Sequence, residues 1–310
     1  MQFALDIQNL KKKYGKHIAL KNLNLQVPKG AIMGLVGPNG SGKTTTFAII
    51  AGLLSSDGGT VNVSGRGPFH PVHHKGLLTL LPQDAYIPGH SRVRETLVFY
   101  GKLQGLSTQD ASFSADRVLE LVDLTDRAQS PISSLSHGMI RRIAAAQAFI
   151  GNPEIVLLDE PTSGLDPHQV ARIRDIIINL RGKQTLVISS HVLSEIEAAC
   201  DHIAFIEEGV TVRQDTMAHV MQTQRQISVI LANTLETIPD DILQSFPDIT
   251  FNLSENGLCL QVGFTESAST AIINRALLPA LLNAGIDIEE VRRGSNLEAI
   301  YLEDRKNNYH

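Results

Sequence analysis

Four apolar runs in the chain are continuous rather than alternating: AIMGLVG (31–37), IVLLDE (155–160), TLVIS (185–189) and IAFIEEG (203–209). Continuous runs belong to strands covered on both faces, so they predict a largely parallel, buried sheet. Helical patterns lie between them, in TTTFAIIAGLL (44–54), IRRIAAAQAFI (140–150) and PHQVARIRDIIINL (167–180). The last places proline in a first turn, where its missing N–H costs nothing. Strands alternating with helices predict an α/β domain. The opening FALDIQNLKKKYGKHIALKNLNLQVPKG instead alternates apolar and polar positions, which predicts an antiparallel β layer with turns at Gly15 and near Pro28–Gly30.

The pattern changes after residue 215. ISVILA (227–232), a hairpin over 249–264 turning at Asn256-Gly257, a helix over 271–285 and a last helix over 296–306 predict a small α+β appendage. The expected division is therefore 1–215 and 216–310, with a helical subdomain at about 84–150 and a dimerisation role open to the second unit.

Composition narrows the function classes. With 310 residues there is enough chain for two cores. A net charge of -5 without long like-charge blocks argues against gripping nucleic acid. Cys200 and Cys259 match no metal spacing and read as free thiols in a reducing compartment. HPVHH, with His70, His73 and His74, lacks a cysteine or carboxylate partner and reads as a solvent-facing loop. No run of about 18 apolar residues predicts a membrane span, and the first residues do not resemble a leader.

Candidate chemistry begins at Gly37. The stretch GPNGSGKT fits G-x-x-x-x-G-K-[ST] between a buried strand and a helix, the context the pattern demands. Gly37, Gly40 and Gly42 let the loop that runs through Pro38 curl the backbone N–H groups of residues 39–45, those of Asn39 and Ser41 among them, round phosphates at a helix start. Lys43 adds a point charge, Thr44 offers a hydroxyl to Mg²⁺, and Thr45 follows in the first turn. Asp159, at the end of a buried strand, predicts a Mg²⁺ partner, because a buried carboxylate needs a cation. Glu160 is placed to polarise an attacking water, which predicts hydrolysis rather than simple binding.

These stretches together resemble the ATP-binding cassette (ABC) ATPases over about residues 1–215, in the family's order. The resemblance implies a P-loop NTPase fold with a mixed core sheet, an antiparallel β layer and a helical subdomain, binding ATP with Mg²⁺. It implies that Tyr14 stacks on adenine, that Gln83 in LLPQDAYI reaches Mg²⁺ and water, and that His191 in SSH touches the γ-phosphate. LSHGM occupies the signature position. Leu135, Ser136, His137 and Gly138 would then close over nucleotide held by the phosphate loop of a second cassette. His137 and Met139 depart from the LSGGQ consensus, whereas the hydroxyl and second glycine remain.

LSHGMIRR, RETLVFYGKLQGL (94–106) and SNLEAIYLE (295–303) look like the export branch. The resemblance thus implies an ATP-hydrolysing transporter subunit on the cytoplasmic face of the membrane. It would pair with a second nucleotide-binding subunit, identical or paralogous, and meet separate permease subunits through about residues 84–100. The alternative is a soluble ABC ATPase acting on ribosomes or DNA.

Overall fold

The computed structural model describes residues 2–222, 226–247, 249–254, 256–264, 270–293 and Leu297. The expected helix over 296–306 lies, apart from Leu297, outside them. Contacts divide the chain into two compact units, Met1–Thr216 and Met217–His310.

The first unit opens with strands β1 (Phe3–Tyr14) and β2 (His17–Pro28), joined by a turn at Gly15, whose φ is +58°. Next come β3 (Ile32–Val36), helix α1 (Lys43–Ile50), β4 (Gly58–Val63) and β5 (Leu78–Leu81). Three helices succeed them: α2 (Val93–Leu103), α3 (Thr108–Leu121) and α4 (His137–Ala148). The unit is completed by β6 (Ile155–Asp159), α5 (Pro167–Asn179), β7 (Thr185–Ser190), α6 (Leu193–Ala199), β8 (His202–Glu207) and β9 (Val210–Thr216).

One nine-stranded sheet runs in the order β4-β1-β2-β9-β8-β3-β7-β6-β5. Strands β8, β3, β7, β6 and β5 are parallel neighbours, with β3, β6 and β7 wholly buried. The layer β4-β1-β2 is antiparallel, and a single parallel pairing at Asn22 and Val210 joins it to β9. Mixed sheet and antiparallel layer thus arise from the two hydrophobic patterns, continuous in one and alternating in the other. Phe47 and Ile50 of α1 pack into the main core with Leu5, Leu23, Met33 and Leu157.

Two boundaries differ from the periodicity. Helix α1 ends at Ile50 rather than 54, because Gly52 takes φ +68° in a turn where a Cβ would meet the Phe69 carbonyl at 2.8 Å. Helix α4 starts at His137 rather than 140, because Ser136 caps it by accepting from the Met139 N–H at 3.3 Å. Helices α2 and α3 are clamped by the Arg94 guanidinium, which donates to both oxygens of Asp116 at 2.6 and 2.9 Å.

The second unit contains α7 (Met217–Gln222), β10 (Gln226–Leu231), α8 (Asp240–Ser245), β11 (Ile249–Leu253), β12 (Cys259–Phe264), α9 (Thr270–Asn283) and β13 (Ile288–Arg293). From β10 onward the order is β-α-β-β-α-β, and the sheet runs β11-β12-β10-β13, all antiparallel. That is the ferredoxin-like arrangement. Its core joins Ile227, Val229 and Leu231 to Leu260 and Val262 of the sheet and to Ile242, Leu277 and Leu281 of the helices.

Candidate active site

The phosphate loop is shaped by close backbone packing. A Cβ on Gly37 would stand 2.1 Å from the Ile206 carbonyl oxygen, and one on Gly42 would stand 2.5 Å from Leu20 Cδ2 and 2.9 Å from the Ala19 carbonyl. Gly40 takes φ +83° beside open space, and Gly42 caps α1 in the left-handed region at +107°. Only glycine enters that region freely. Helix α1 has neither a side-chain cap nor an acid in its first turn. Its leading N–H groups, which have no intrahelical partner, are left to an external acceptor. The buried Ser41 hydroxyl likewise has no partner among the described residues.

Lys43 is 6% exposed and its ammonium donates to the carbonyls of Gly37 at 2.7 Å and Pro38 at 3.1 Å. Burial lowers its pKa, against the opposing charges of Glu160 and Asp159. Those carboxylates therefore favour the ammonium form that a phosphate would meet. Asn39 and Thr44 are exposed, and Thr45 is half-buried.

Asp159 ends β6 and Glu160 follows it; both are buried, yet their environments differ. The Ser189 hydroxyl donates to Asp159 Oδ1 and accepts from the Glu160 N–H at 2.9 Å. One hydroxyl thus fixes both acids. Glu160 takes φ +46°, unusual for a residue with a side chain, and its N–H also donates to the Ser189 carbonyl at 3.2 Å. Backbone strain of this kind persists only where surrounding bonds over-determine it. It accompanies a turn in the chain at Glu160, whose Oε1 lies 3.1 Å from His191 Nδ1 and whose Oε2 accepts from Gln83 Nε2 at 3.5 Å.

Gln83, Glu160 and His191 therefore meet directly, and Lys43 lies within the field of both Glu160 and Asp159. Tyr14 stands at the far end of β1, 48% exposed, with the Lys12 ammonium 5.8 Å from its ring centre. Ser136 and His137 of the signature turn are exposed, whereas Gly138 is buried against the Gln169 amide, which a Cβ would meet at 2.1 Å. That amide donates to Asp166 Oδ2 at 2.6 Å, and Asp166 caps α5.

Sequence reasoning passed over Ser189, Gln169 and the Thr162–Glu195 hydrogen bond, and met Arg141 only as part of the helix after the signature turn. SSH contained the first of these in plain view, but only its histidine is a recognisable chemical group. Two of the three histidines of HPVHH, His70 and His74, organise their own turn. His74 Nδ1 accepts from the His70 N–H at 3.1 Å and His70 Nδ1 from the Val72 N–H at 3.3 Å. Among the described residues no group of three or more His, Cys, Asp or Glu could hold a metal ion.

A family model described as ABC transporter matches residues 20–163, which include the phosphate loop, the signature turn, Asp159 and Glu160. The linearmycin resistance ATP-binding protein LnrL of Bacillus subtilis (strain 168) is 31% identical over 306 residues, 96% of this chain and 97% of the relative. A Nod factor export ATP-binding protein I of Burkholderia orbicola (strain AU 1054) is 30% identical, covering 96% and 95%. A solved ATP-binding cassette of an ABC transporter in its ADP conformation superposes with a TM-score of 0.62 at 24% identity, covering 71% of this chain and 94% of the other. Likeness along nearly the full length of named ATP-binding proteins, with the phosphate loop and paired carboxylates in place, establishes that this chain belongs to the ABC transporter family as one of its ATP-binding subunits.

Proposed function

We propose that the chain hydrolyses ATP between two cassettes and couples that reaction to export through a membrane permease. The observation that carries the reading is Glu160: a buried carboxylate, held in a left-handed backbone, in contact with both Gln83 and His191. A general base needs such fixed placement within reach of the proton it removes.

Each residue has a distinct share of the work. Thr44, Gln83 and Asp159 would offer oxygen donors of the kind that suits Mg²⁺, which takes one or two carboxylates plus phosphate and water rather than a protein cage. When bound, Mg²⁺ supplies charge neutralisation at the transferring phosphoryl group. Lys43 and the N–H groups of α1 bind the β- and γ-phosphates, and Tyr14 receives the base. Glu160 takes the proton of the attacking water. His191, held against Glu160, addresses the γ-phosphate, and Gln83 orients the water. Ser136 and Gly138 complete the pocket of the partner subunit; an exposed helix start worth only about 0.3–1 kcal/mol to an anion gains strength when two cassettes exclude water.

We assign residues 1–215 to the nucleotide-binding unit and 216–310 to an accessory unit, a division supported by the break in contacts after Thr216. The permease contact falls at about residues 84–100, supported by exposed Tyr86 and Phe99. Among the described residues no helix is long and apolar enough to cross a membrane. Working with a permease places the subunit at the cytoplasmic membrane face. Relatives named for resistance and export favour transport over the ribosome or DNA reading.

The test is the rate per subunit as enzyme concentration rises through the dimerisation range. The expected outcome is an increase that levels off once dimers predominate. A rate independent of concentration in a preparation shown to be monomeric would overturn the shared-site reading.

A further inference from the structure

Helix α4 carries more than the signature turn. One turn beyond Ser136, the Arg141 guanidinium donates through Nη1 to the backbone carbonyl of Gln83 at 2.7 Å. The side chain of the same Gln83 reaches Glu160 Oε2. Gln83 itself has left β5, which ends at Leu81, and it is exposed, with no regular structure until α2 begins at Val93. A residue on an irregular segment needs an outside anchor if its amide is to stay on one carboxylate. The neighbouring Arg142 does different work, donating to the carbonyls of Val122 and Asp123 at the end of α3.

We propose that Arg141 is a positioning residue for hydrolysis, fixing the Gln83 backbone so that its amide addresses Glu160. The bond ties the first turns of α4, which present Ser136, to the Gln83–Glu160 contact in the same chain. Displacement of the signature turn is thereby passed to the chain's own base. This inference rests on Glu160 being that base.

The experiment compares Arg141→Met, Arg141→Lys, Gln83→Ala and the Gln83→Ala/Arg141→Met double variant in the full-length protein, with Glu160→Gln as control. Methionine keeps the apolar stem but removes the donor, and lysine restores one charged donor. Arg141→Met should lower kcat about tenfold, the rate equivalent of roughly 1.4 kcal/mol, with KM for ATP changed less than about twofold. Arg141→Lys should recover most of that loss. If Arg141 acts through Gln83, the double variant should be no slower than Gln83→Ala alone, because two changes along one path do not add.

Additive losses, an unchanged kcat in Arg141→Met, or a lysine variant as slow as the methionine one would each overturn the proposal. Retained hydrolysis in Glu160→Gln would instead overturn the reading of the base on which it rests. A melting temperature for each variant separates lost positioning from lost folding: a fall in kcat in Arg141→Met matched by a collapsed melting transition and not rescued by lysine counts against the proposal.

Discussion

The starts of α1 and α4 are both rich in small residues and both open toward an anion, yet they are built in opposite ways. Helix α1 begins at Gly42 with no side-chain cap, and its loop is pressed against backbone atoms of Ala19, Ile206 and Gly209. Its shape is set by main chain, the least adjustable material in a fold. Helix α4 begins at an exposed Ser136 whose hydroxyl caps its own helix, and the nearest atoms to a Cβ on its glycine are those at the tip of the Gln169 side chain. The first start is a rigid seat within one unit. The second is a surface feature supported by side chains, which suits a group whose counterpart arrives with another molecule.

Five substitutions sharpen or break that contrast. Glu160→Gln should cut turnover about 10²- to 10⁴-fold while leaving ATP binding intact, because it removes only the base. Size-exclusion chromatography should then show an ATP-bound dimer, and a variant that stays monomeric with ATP would break the contrast. Ser136→Glu comes next, placing a carboxylate at the exposed helix start; hydrolysis should fall about 10²- to 10³-fold with ATP binding unchanged. If ATPase activity survives, the α4 start faces no phosphate.

Lys43→Ala should weaken ATP binding itself roughly 10- to 100-fold, the equivalent of a lost charge-assisted contact, measured by calorimetry. The smallest effects separate the two glycines. Gly37→Ala forces a methyl into the Ile206 carbonyl and should cost about 1–3 kcal/mol of stability in thermal melts. Gly138→Ala meets first the end of a flexible side chain rather than main chain, so its melting shift should be smaller than that of Gly37→Ala, with the loss appearing in hydrolysis instead. Equal melting shifts would show that both starts are equally rigid.

Much of the sheet was legible because burial on both faces writes itself as uninterrupted Val, Ile and Leu. Strands β3, β6, β7 and β8 stand where those runs lie. Shorter or mixed pieces escaped. Strand β4 begins with two glycines, β5 has four residues, and α6 has seven, too few for a period to emerge. The ferredoxin-like strand order was also hidden, since it depends on which edges meet rather than on any one segment. In the site, residues with distinctive chemistry could be named from motifs, whereas Ser189 and Gln169 could not. A serine hydroxyl bridging two acids and an amide backing a glycine are common residue types whose roles exist only in three dimensions.

The turn between β8 and β9 bears on how this chain can be engineered. Gly209 donates its N–H to the Ser41 carbonyl at 3.0 Å, and a Cβ there would strike the Ala19 carbonyl at 2.6 Å. On a topology diagram it is an ordinary hairpin tip, the kind of place chosen for a tag, a label or new chain ends. Here it braces the phosphate loop from behind. Insertions should be far better tolerated at Gly65, where nothing lies within 4 Å, than at Gly209.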